Sequence, residues 1–107
     1  MKKALKNKKI FIAGHNGMVG SSILRLSRNL GLNKIIIQSR KKLDLTNWDK
    51  VNKFLKKIKP DIVINCAGKV GGILANFIYP KEFLLENIYI QLNLLDACFN
   101  NNVKTFV

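Results

Sequence analysis

Three glycines constrain the fold of this chain more than any other feature of its sequence. Gly14, Gly17 and Gly20 lie three residues apart, directly after the apolar run KIFIA at residues 9–13. Where a strand turns into a helix, the first such glycine permits a tight turn, the second lets the backbone approach a pyrophosphate, and the third lets the helix pack on the strand. The trio therefore predicts a dinucleotide-binding turn, with a purely structural glycine-rich turn as the alternative.

Apolar runs alternate with helical patterns along the rest of the chain. The runs at 9–13, 34–39 and 61–66 are rich in β-branched residues and apolar almost throughout, as are parallel strands buried on both faces. The sequence ends in KTFV, which indicates the start of a fourth strand. Strand–helix alternation of this kind is typical of a parallel sheet with right-handed crossovers.

A helix is expected after each of the first three strands. The first ends at Gly31, and its predicted apolar stripe consists of Val19, Ile23, Leu26 and Leu30. The second is expected to start at a capping pair, Thr46 and Asp49, and to stop before Pro60. The third is predicted from Pro80 to about Asn100.

These elements predict an α/β fold: the N-terminal portion of a Rossmann-type doubly wound parallel sheet, with three full strands plus the start of a fourth. We interpret residues 1–107 as a partial NADP-binding Rossmann domain from which the catalytic part and the substrate domain are absent. In such a partial sheet, the first strand is expected to lack most of its neighbour on one side.

Composition argues against several other classes of protein. No apolar run approaches the length of a membrane span, and the basic start lacks the apolar region of a secretory signal, so we expect a cytoplasmic protein without membrane contact. Cys66 and Cys98 have no metal-ligand spacing and are interpreted as reduced thiols. His15 is the only histidine, and no metal site is expected.

The net charge of +13 raises the question of a nucleic-acid partner. The lysines are scattered over several predicted elements, however, and no aromatic platform is interleaved with them. The joint abundance of Lys, Asn and Ile is also expected of an AT-rich coding genome. We therefore expect no nucleic-acid partner.

The end of the second strand, QSRKKLDL at residues 38–45, bears on the choice of cofactor. NAD-binding domains normally place an acid there for the ribose 2′-OH, whereas a 2′-phosphate is matched by Arg. No acid stands at the strand tip, and Arg40 does, flanked by Lys41 and Lys42. This favours NADP over NAD, although a solvated basic turn remains the alternative, more readily for the two lysines than for Arg40.

Three motifs, FIAGHNGMVGSSI, RKKLDL and CAGKVGGILANFIYP, resemble the GDP-L-fucose synthase family, in the extended branch of the short-chain dehydrogenase/reductases that acts on nucleotide sugars. KVGGILAN is the most specific stretch, and the resemblance covers essentially all of the chain. It implies a complete enzyme, a homodimer, that epimerises GDP-4-keto-6-deoxymannose at C3 and C5 and reduces its 4-keto group with NADPH. The partner of the complete protein is thus a GDP-sugar substrate.

The resemblance also implies a cofactor site built from three segments, with Asp44 and Leu45 near the adenine. The residues implied are Gly14, His15, Asn16, Gly17, Met18, Val19, Gly20, Arg40, Asp44, Leu45, Ala67, Gly68 and Lys69. Asn16 stands where the family often has a basic residue, which puts one phosphate contact in doubt. Lys69 is either a phosphate contact or a surface lysine.

No catalytic residue is assigned within the chain. The family's Ser and its Tyr–Lys pair are expected beyond Val107, and neither Tyr79 nor Tyr89 has a Lys four residues later. We therefore expect an enzyme of the oxidoreductase/epimerase type of which this chain alone is inactive. The alternatives are another nucleotide-sugar epimerase or dehydratase, and a non-catalytic dinucleotide-binding module.

Overall fold

The computed structural model describes residues 5–68 and 80–107, with Pro80 described for its backbone alone. Strands and helices alternate along them, which confirms the predicted α/β fold class. In chain order they are β1 (Ile10–Ala13), α1 (Met18–Asn29), β2 (Ile35–Ile36), α2 (Trp48–Ile58), β3 (Ile62–Asn65), α3 (Pro80–Asn100) and β4 (Thr105–Phe106).

The sheet has the strand order β2-β1-β3-β4, and all of its pairings are parallel. Phe11 of β1 lies opposite Ile36 on one side and Val63 on the other. The expectation that β1 lacks a neighbour is therefore wrong: the short β4 pairs with β3 instead. The chain builds β2 on one side of β1 and then crosses to the other side for β3, so the strand order reverses between β1 and β3.

The second strand is shorter than the sequence predicts. The apolar run at 34–39 contributes only the 2 residues Ile35 and Ile36 to the sheet. The backbone turns soon afterwards, because the N–H groups of Lys42 and Leu43 both donate to the carbonyl of Ser39. The end of the run is thereby directed out of the sheet.

Helices cover both faces of the sheet, as in a doubly wound fold. Ile10 and Ile12 face one side, where they pack with Leu24 of α1 and with Leu32. Phe11 and Ala13 alternate with them and face the other side, where the buried residues of α2 and α3 lie. On that side the rings of Phe11 and Phe54 meet edge to face, with centroids 5.0 Å apart.

Helix α1 is rotated relative to the predicted apolar stripe. Its buried residues are Gly20, Leu24 and Ser27, whereas Val19 is 62% and Leu26 58% exposed. The cause is a close approach of backbone to backbone, since a Cβ on Gly20 would overlap the carbonyl oxygen of Gly14. This contact fixes which side of α1 faces the sheet, so the stripe prediction is wrong for the exposed Val19 and Leu26, whereas Ile23 packs against the core as expected.

The cap of α2 also differs from the prediction. Asn47 is the N-cap, and its side chain accepts a hydrogen bond of 3.1 Å from the backbone N–H of Lys50. Thr46 precedes this cap and does not form the predicted pair with Asp49, and its hydroxyl donates to Asp44 over 2.6 Å. Of the helices in the described part of the chain, none is long and apolar enough to span a membrane.

Candidate functional site

A cavity of about 390 Å³ opens at the carboxyl ends of β1 and β3, where the strand order reverses. In doubly wound folds this is the place where ligands bind. The turn after β1, the segment after β2, the residues after β3 and one side of α3 form its walls. The volume lies within the range of ordinary ligand pockets.

The cavity brings together most of the residues that sequence reasoning proposed for the cofactor. Those lining it are Gly14, His15, Asn16, Gly17, Arg40, Asp44, Leu45, Ala67 and Gly68. Met18, Val19 and Gly20 belong to the first turn of α1 and are not part of its wall. Lys69 lies outside the described residues, and so does the KVGGILAN stretch at 69–76.

The three glycines meet different constraints. Gly14 has a φ of 79°, in the left-handed region, and a Cβ there would come within 2.5 Å of the Ala67 backbone. Gly17 has an ordinary backbone conformation, and the nearest atom to its Cβ would be the Gly14 carbonyl oxygen at 3.6 Å. Folding thus demands glycine at position 14 but not at 17. The lack of a side chain at Gly17 leaves space at the cavity wall, which fits the approach of a pyrophosphate.

The start of α1 presents uncompensated backbone donors. Its N-cap is Gly17, no side chain caps it, and no acidic residue lies in its first turn. The helix dipole and the free N–H groups of a first turn favour an anion. This end of α1 therefore suits a phosphate group at the cavity mouth.

His15 adds an unsatisfied polar atom beside the same turn. Its Nδ1 is buried and has no hydrogen-bond partner among the residues that the structure describes. A buried nitrogen of this kind is uncommon in folded proteins and calls for a bound group or an ordered water. Because this nitrogen is closed to solvent, the donor-rich turn is the feature that fits an anionic ligand in the cavity.

The segment after β2 lies at the strand end where Rossmann-type domains distinguish one dinucleotide from another. Its turn begins at Ser39, whose carbonyl accepts from Leu43 N–H over 2.9 Å. This turn places the exposed Arg40 at the cavity, next to Gln38. No acid occupies the tip of β2, where a carboxylate would accept from a ribose 2′-OH.

Asp44 is an acidic residue of this segment that lines the cavity. Its Oδ1 accepts from the Thr46 hydroxyl over 2.6 Å and from the Thr46 backbone N–H over 3.0 Å. These two hydrogen bonds lower the pKa of the Asp44 carboxyl, and the charges of Lys50 and Arg40 lower it further. Asp44 is therefore an anionic acceptor at neutral pH.

The residues after β3 are tied to β1 and to α3. The Cys66 N–H donates to the Ala13 carbonyl over 2.8 Å, which extends the pairing of the two strands. The Asn65 side chain accepts from Ala67 N–H over 2.9 Å and donates to Gln91 Oε1 over 2.6 Å. Partial burial raises the pKa of the Cys66 thiol, so that it is neutral.

Several lining residues were missed by sequence reasoning. Gln38 and Thr46 are sequence neighbours of proposed residues and could have been found at the same strand end and loop. Glu86 and Ile90 come from α3, and nothing in their local sequence signals which side of that helix faces the cavity. The described residues contain no group of three or more His, Cys, Asp or Glu side chains that could hold a metal ion.

Comparison with known proteins gives a consistent result. The model of the NAD-dependent epimerase/dehydratase family matches residues 10–107. A GDP-L-fucose synthase of Sinorhizobium fredii is 44% identical over 100 residues, which are 94% of this chain and 32% of that protein. The GDP-L-fucose synthase of Escherichia coli is 37% identical over 94% of this chain and 31% of its own length. The chain thus spans about a third of the length of these curated relatives.

Solved structures agree with the sequence relatives. A GDP-mannoheptose C4 reductase from Campylobacter jejuni, with NADP bound, matches with a TM-score of 0.89 and 38% identity. The match covers 94% of this chain and 30% of the reductase. The resemblance to GDP-L-fucose synthases and the Rossmann-type fold, both predicted from the sequence, are confirmed.

Proposed function

The chain belongs to the NAD-dependent epimerase/dehydratase family, and we propose that its cavity binds NADP(H) for a reaction of the GDP-L-fucose synthase type. The observation that carries this proposal is the placement of Arg40 at the cavity, at the end of a strand without an acid. Guanidinium groups pair with phosphates through charge-assisted hydrogen bonds. The NADP held by the similar reductase from Campylobacter jejuni supports the same choice.

Each wall of the cavity has its own part in this proposal. The turn from Gly14 to Gly20 and the start of α1 hold the pyrophosphate through backbone N–H groups. Arg40 receives the 2′-phosphate, and Asp44 and Leu45 line the adenine end. Ala67 and Gly68 close the opposite wall, and Lys69, the next residue in the sequence, is proposed as a further phosphate contact.

We propose that residues 1–107 form the NADP-binding part of a longer protein. In that protein the bound NADPH supplies the hydride that reduces C4 of a GDP-linked 4-keto-6-deoxymannose, which is also epimerised at C3 and C5. The catalytic residues are then supplied outside this chain, and the chain alone is expected to be inactive. A cytoplasmic location is part of the proposal and agrees with the free Cys66 and Cys98.

A second candidate is the C4 reduction of a different GDP-sugar. The reductase that acts on GDP-mannoheptose is 38% identical to this chain, and the Escherichia coli GDP-L-fucose synthase is 37% identical. With the Sinorhizobium fredii GDP-L-fucose synthase at 44%, the identity to the reductase falls within the range of the identities to GDP-L-fucose synthases. The cofactor-binding part contacts the dinucleotide in both proposals, so it does not separate them.

The complete protein is proposed to be a homodimer. Helix α3 exposes an apolar ridge, which consists of Leu84, Ile88, Leu92, Leu95 and Phe99. Phe99 is 84% exposed, and a contiguous apolar surface of this kind marks a contact with another chain or domain. We propose that a second copy of the complete protein covers the ridge.

Calorimetric titration of the chain with NADPH and NADH tests the proposed cofactor. We expect tighter binding of NADPH, and Arg40→Ala should remove most of the preference at a cost of about 1.5–3 kcal/mol in NADPH binding. Lys41→Ala is the matched control, because Lys41 adjoins Arg40 but does not line the cavity. Equal affinities for the two cofactors in the unaltered chain would contradict the proposal.

A further inference from the structure

Asn93 of α3 ties that helix to the segment after β2, and we propose that it is a positioning residue for the adenine end of the cofactor site. The proposal rests on the proposed function, since it concerns how the same cavity is shaped. Asn93 does not line the cavity. It acts through Leu45, which does.

The contact is a single long-range hydrogen bond. The Asn93 side-chain amide donates to the Leu45 carbonyl oxygen over 3.0 Å, between residues 48 positions apart in the sequence. Helix α3 is itself held in place, because its residues Ile90, Leu94 and Ala97 are buried in the core against the sheet. Asn93 lies half-buried at the margin of that face.

The other described hydrogen bonds of the segment are local. Thr46 donates two hydrogen bonds to the Asp44 side chain, and the Asn47 N–H donates to the Asp44 carbonyl. All three bonds join residues of one short turn. Such bonds fix the shape of the turn but not its distance from the rest of the cavity. The bond from Asn93 adds a directional tie to α3, beside the packing of the Leu43 and Leu45 side chains on the core.

The position of Leu45 determines where its two neighbours in the sequence lie. Its side chain packs against the core cluster around Phe11, and its carbonyl is held by Asn93. Asp44 and Thr46 flank it and line the cavity. Loss of the Asn93 amide leaves a half-buried carbonyl without this donor, and the segment is free to shift towards water.

The effect on cofactor binding has a distinct signature. Arg40 belongs to a separate turn that starts at Ser39, and the pyrophosphate turn lies on another strand. Removing Asn93 should therefore weaken NADPH and NADH by the same factor and leave the preference between them unchanged. Binding of inorganic pyrophosphate at the start of α1 should not change.

The test compares Asn93→Ala and Asn93→Asp with the unaltered chain. The Asp variant has nearly the same shape but no N–H donor. Asn100→Ala is the matched control: Asn100 lies on the same helix and also bonds a residue 48 positions away, Asn52, over 2.8 Å, and neither residue lines the cavity. Circular dichroism and thermal unfolding give the folded fraction of each variant. Each dissociation constant is then calculated per folded molecule.

We expect both Asn93 variants to bind NADPH and NADH about fivefold more weakly, which is the scale of one hydrogen bond. Pyrophosphate binding, followed through the amide resonances of Met18 and Val19, and the NADPH/NADH ratio should match the unaltered chain. Unchanged dinucleotide affinity, a loss equal to that of Asn100→Ala, or a loss confined to NADPH would overturn the inference alone. Absence of NADPH binding by the unaltered chain would overturn the proposed function and the inference with it.

Discussion

The turn after β1 and the segment after β2 line the same cavity by different means. Between Gly14 and Gly20 the chain presents backbone groups, and its shape follows from close contacts that exclude side chains. Between Ser39 and Asn47 it presents side chains, held by a succession of short hydrogen-bonded turns. Under the proposed function, the first region would hold the pyrophosphate common to all dinucleotides, while the second would distinguish NADP from NAD.

Folding and binding also overlap to different degrees in the two regions. In the glycine turn one residue, Gly14, is required by the fold, and the next, Gly17, is free of that requirement. In the segment after β2, Asn47 caps a helix while Arg40 lies at the cavity. Single substitutions can therefore separate the two roles in each region.

The largest effect is expected from Gly14→Ala, which should remove about 3 kcal/mol from the free energy of unfolding. A left-handed conformation is unfavourable for Ala, and the added Cβ overpacks against Ala67. Gly31→Ala is the control, because Gly31 has a φ of 77° but nothing lies within 4 Å of its Cβ. It should cost about 1 kcal/mol. Urea unfolding of both variants measures the difference, and equal losses would mean that the contact with Ala67 is not tight.

Gly17→Val should lower NADPH affinity at least about a hundredfold while the chain stays folded. The Val side chain takes the space that the pyrophosphate needs, yet the protein itself offers room for its Cβ. Calorimetric titration measures the NADPH affinity, and circular dichroism checks that the variant is folded. Gly17→Ala, with a side chain of intermediate size, should have an intermediate affinity. Retained affinity in the Val variant would show that the phosphate does not approach this residue.

Asn47→Ala should lower the free energy of unfolding by about 1 kcal/mol, the usual worth of an N-cap. Its side chain holds Lys50 N–H and does not line the cavity. NADPH affinity per folded molecule is therefore expected to change by less than about twofold. A large loss of NADPH affinity would show that the helix cap and the cofactor site depend on each other. It would contradict the separation of folding and binding roles in this segment.

The smallest effect concerns the two thiols. Cys66 lines the cavity, whereas Cys98 is buried between α3 and the sheet, where burial raises the pKa of its thiol to about 11. Both should react slowly with N-ethylmaleimide, because the thiolate is the reactive form. NADPH should slow the reaction of Cys66 further and leave Cys98 unchanged, as followed by mass spectrometry of the peptides. Protection of both thiols alike would indicate general stabilisation by the ligand.

Local sequence patterns predicted much of this fold. The strands β1 and β3 follow from continuous apolar runs, and Pro80 and Asn100 bound α3 as expected. The orientation of α1 and the neighbours of β1 did not follow. The orientation of α1 depends on the close backbone contact of Gly20 with Gly14, which an apolar stripe does not reveal, and the neighbours of β1 depend on pairing between distant residues such as Ile10 and Ile62.

The candidate site shows the same division. Gly17, Arg40 and Asp44 could be named because each follows a strand within a recognisable motif, and the structure brings them to one cavity. Glu86 could not, because its place depends on how α3 packs. Thr46 was assigned to the helix cap, because Thr46 and Asn47 are both good N-cap residues and the sequence does not rank them.

The most direct test of the central claim is a titration of the ¹⁵N-labelled chain with NADPH, followed by NMR at about 0.15 M salt, where exposed charges are largely screened. The account predicts that the perturbed amide resonances belong to Gly14–Gly20, Arg40, Asp44–Thr46 and Ala67–Gly68, and that NADH shifts those of the glycine turn with less effect at Arg40. Shifts centred instead on the lysine-rich exposed side of α2, at Lys53, Lys56 and Lys57, and lost at higher salt would contradict it. Such shifts would show that the dinucleotide is attracted by the net charge of +13 and does not bind in the cavity.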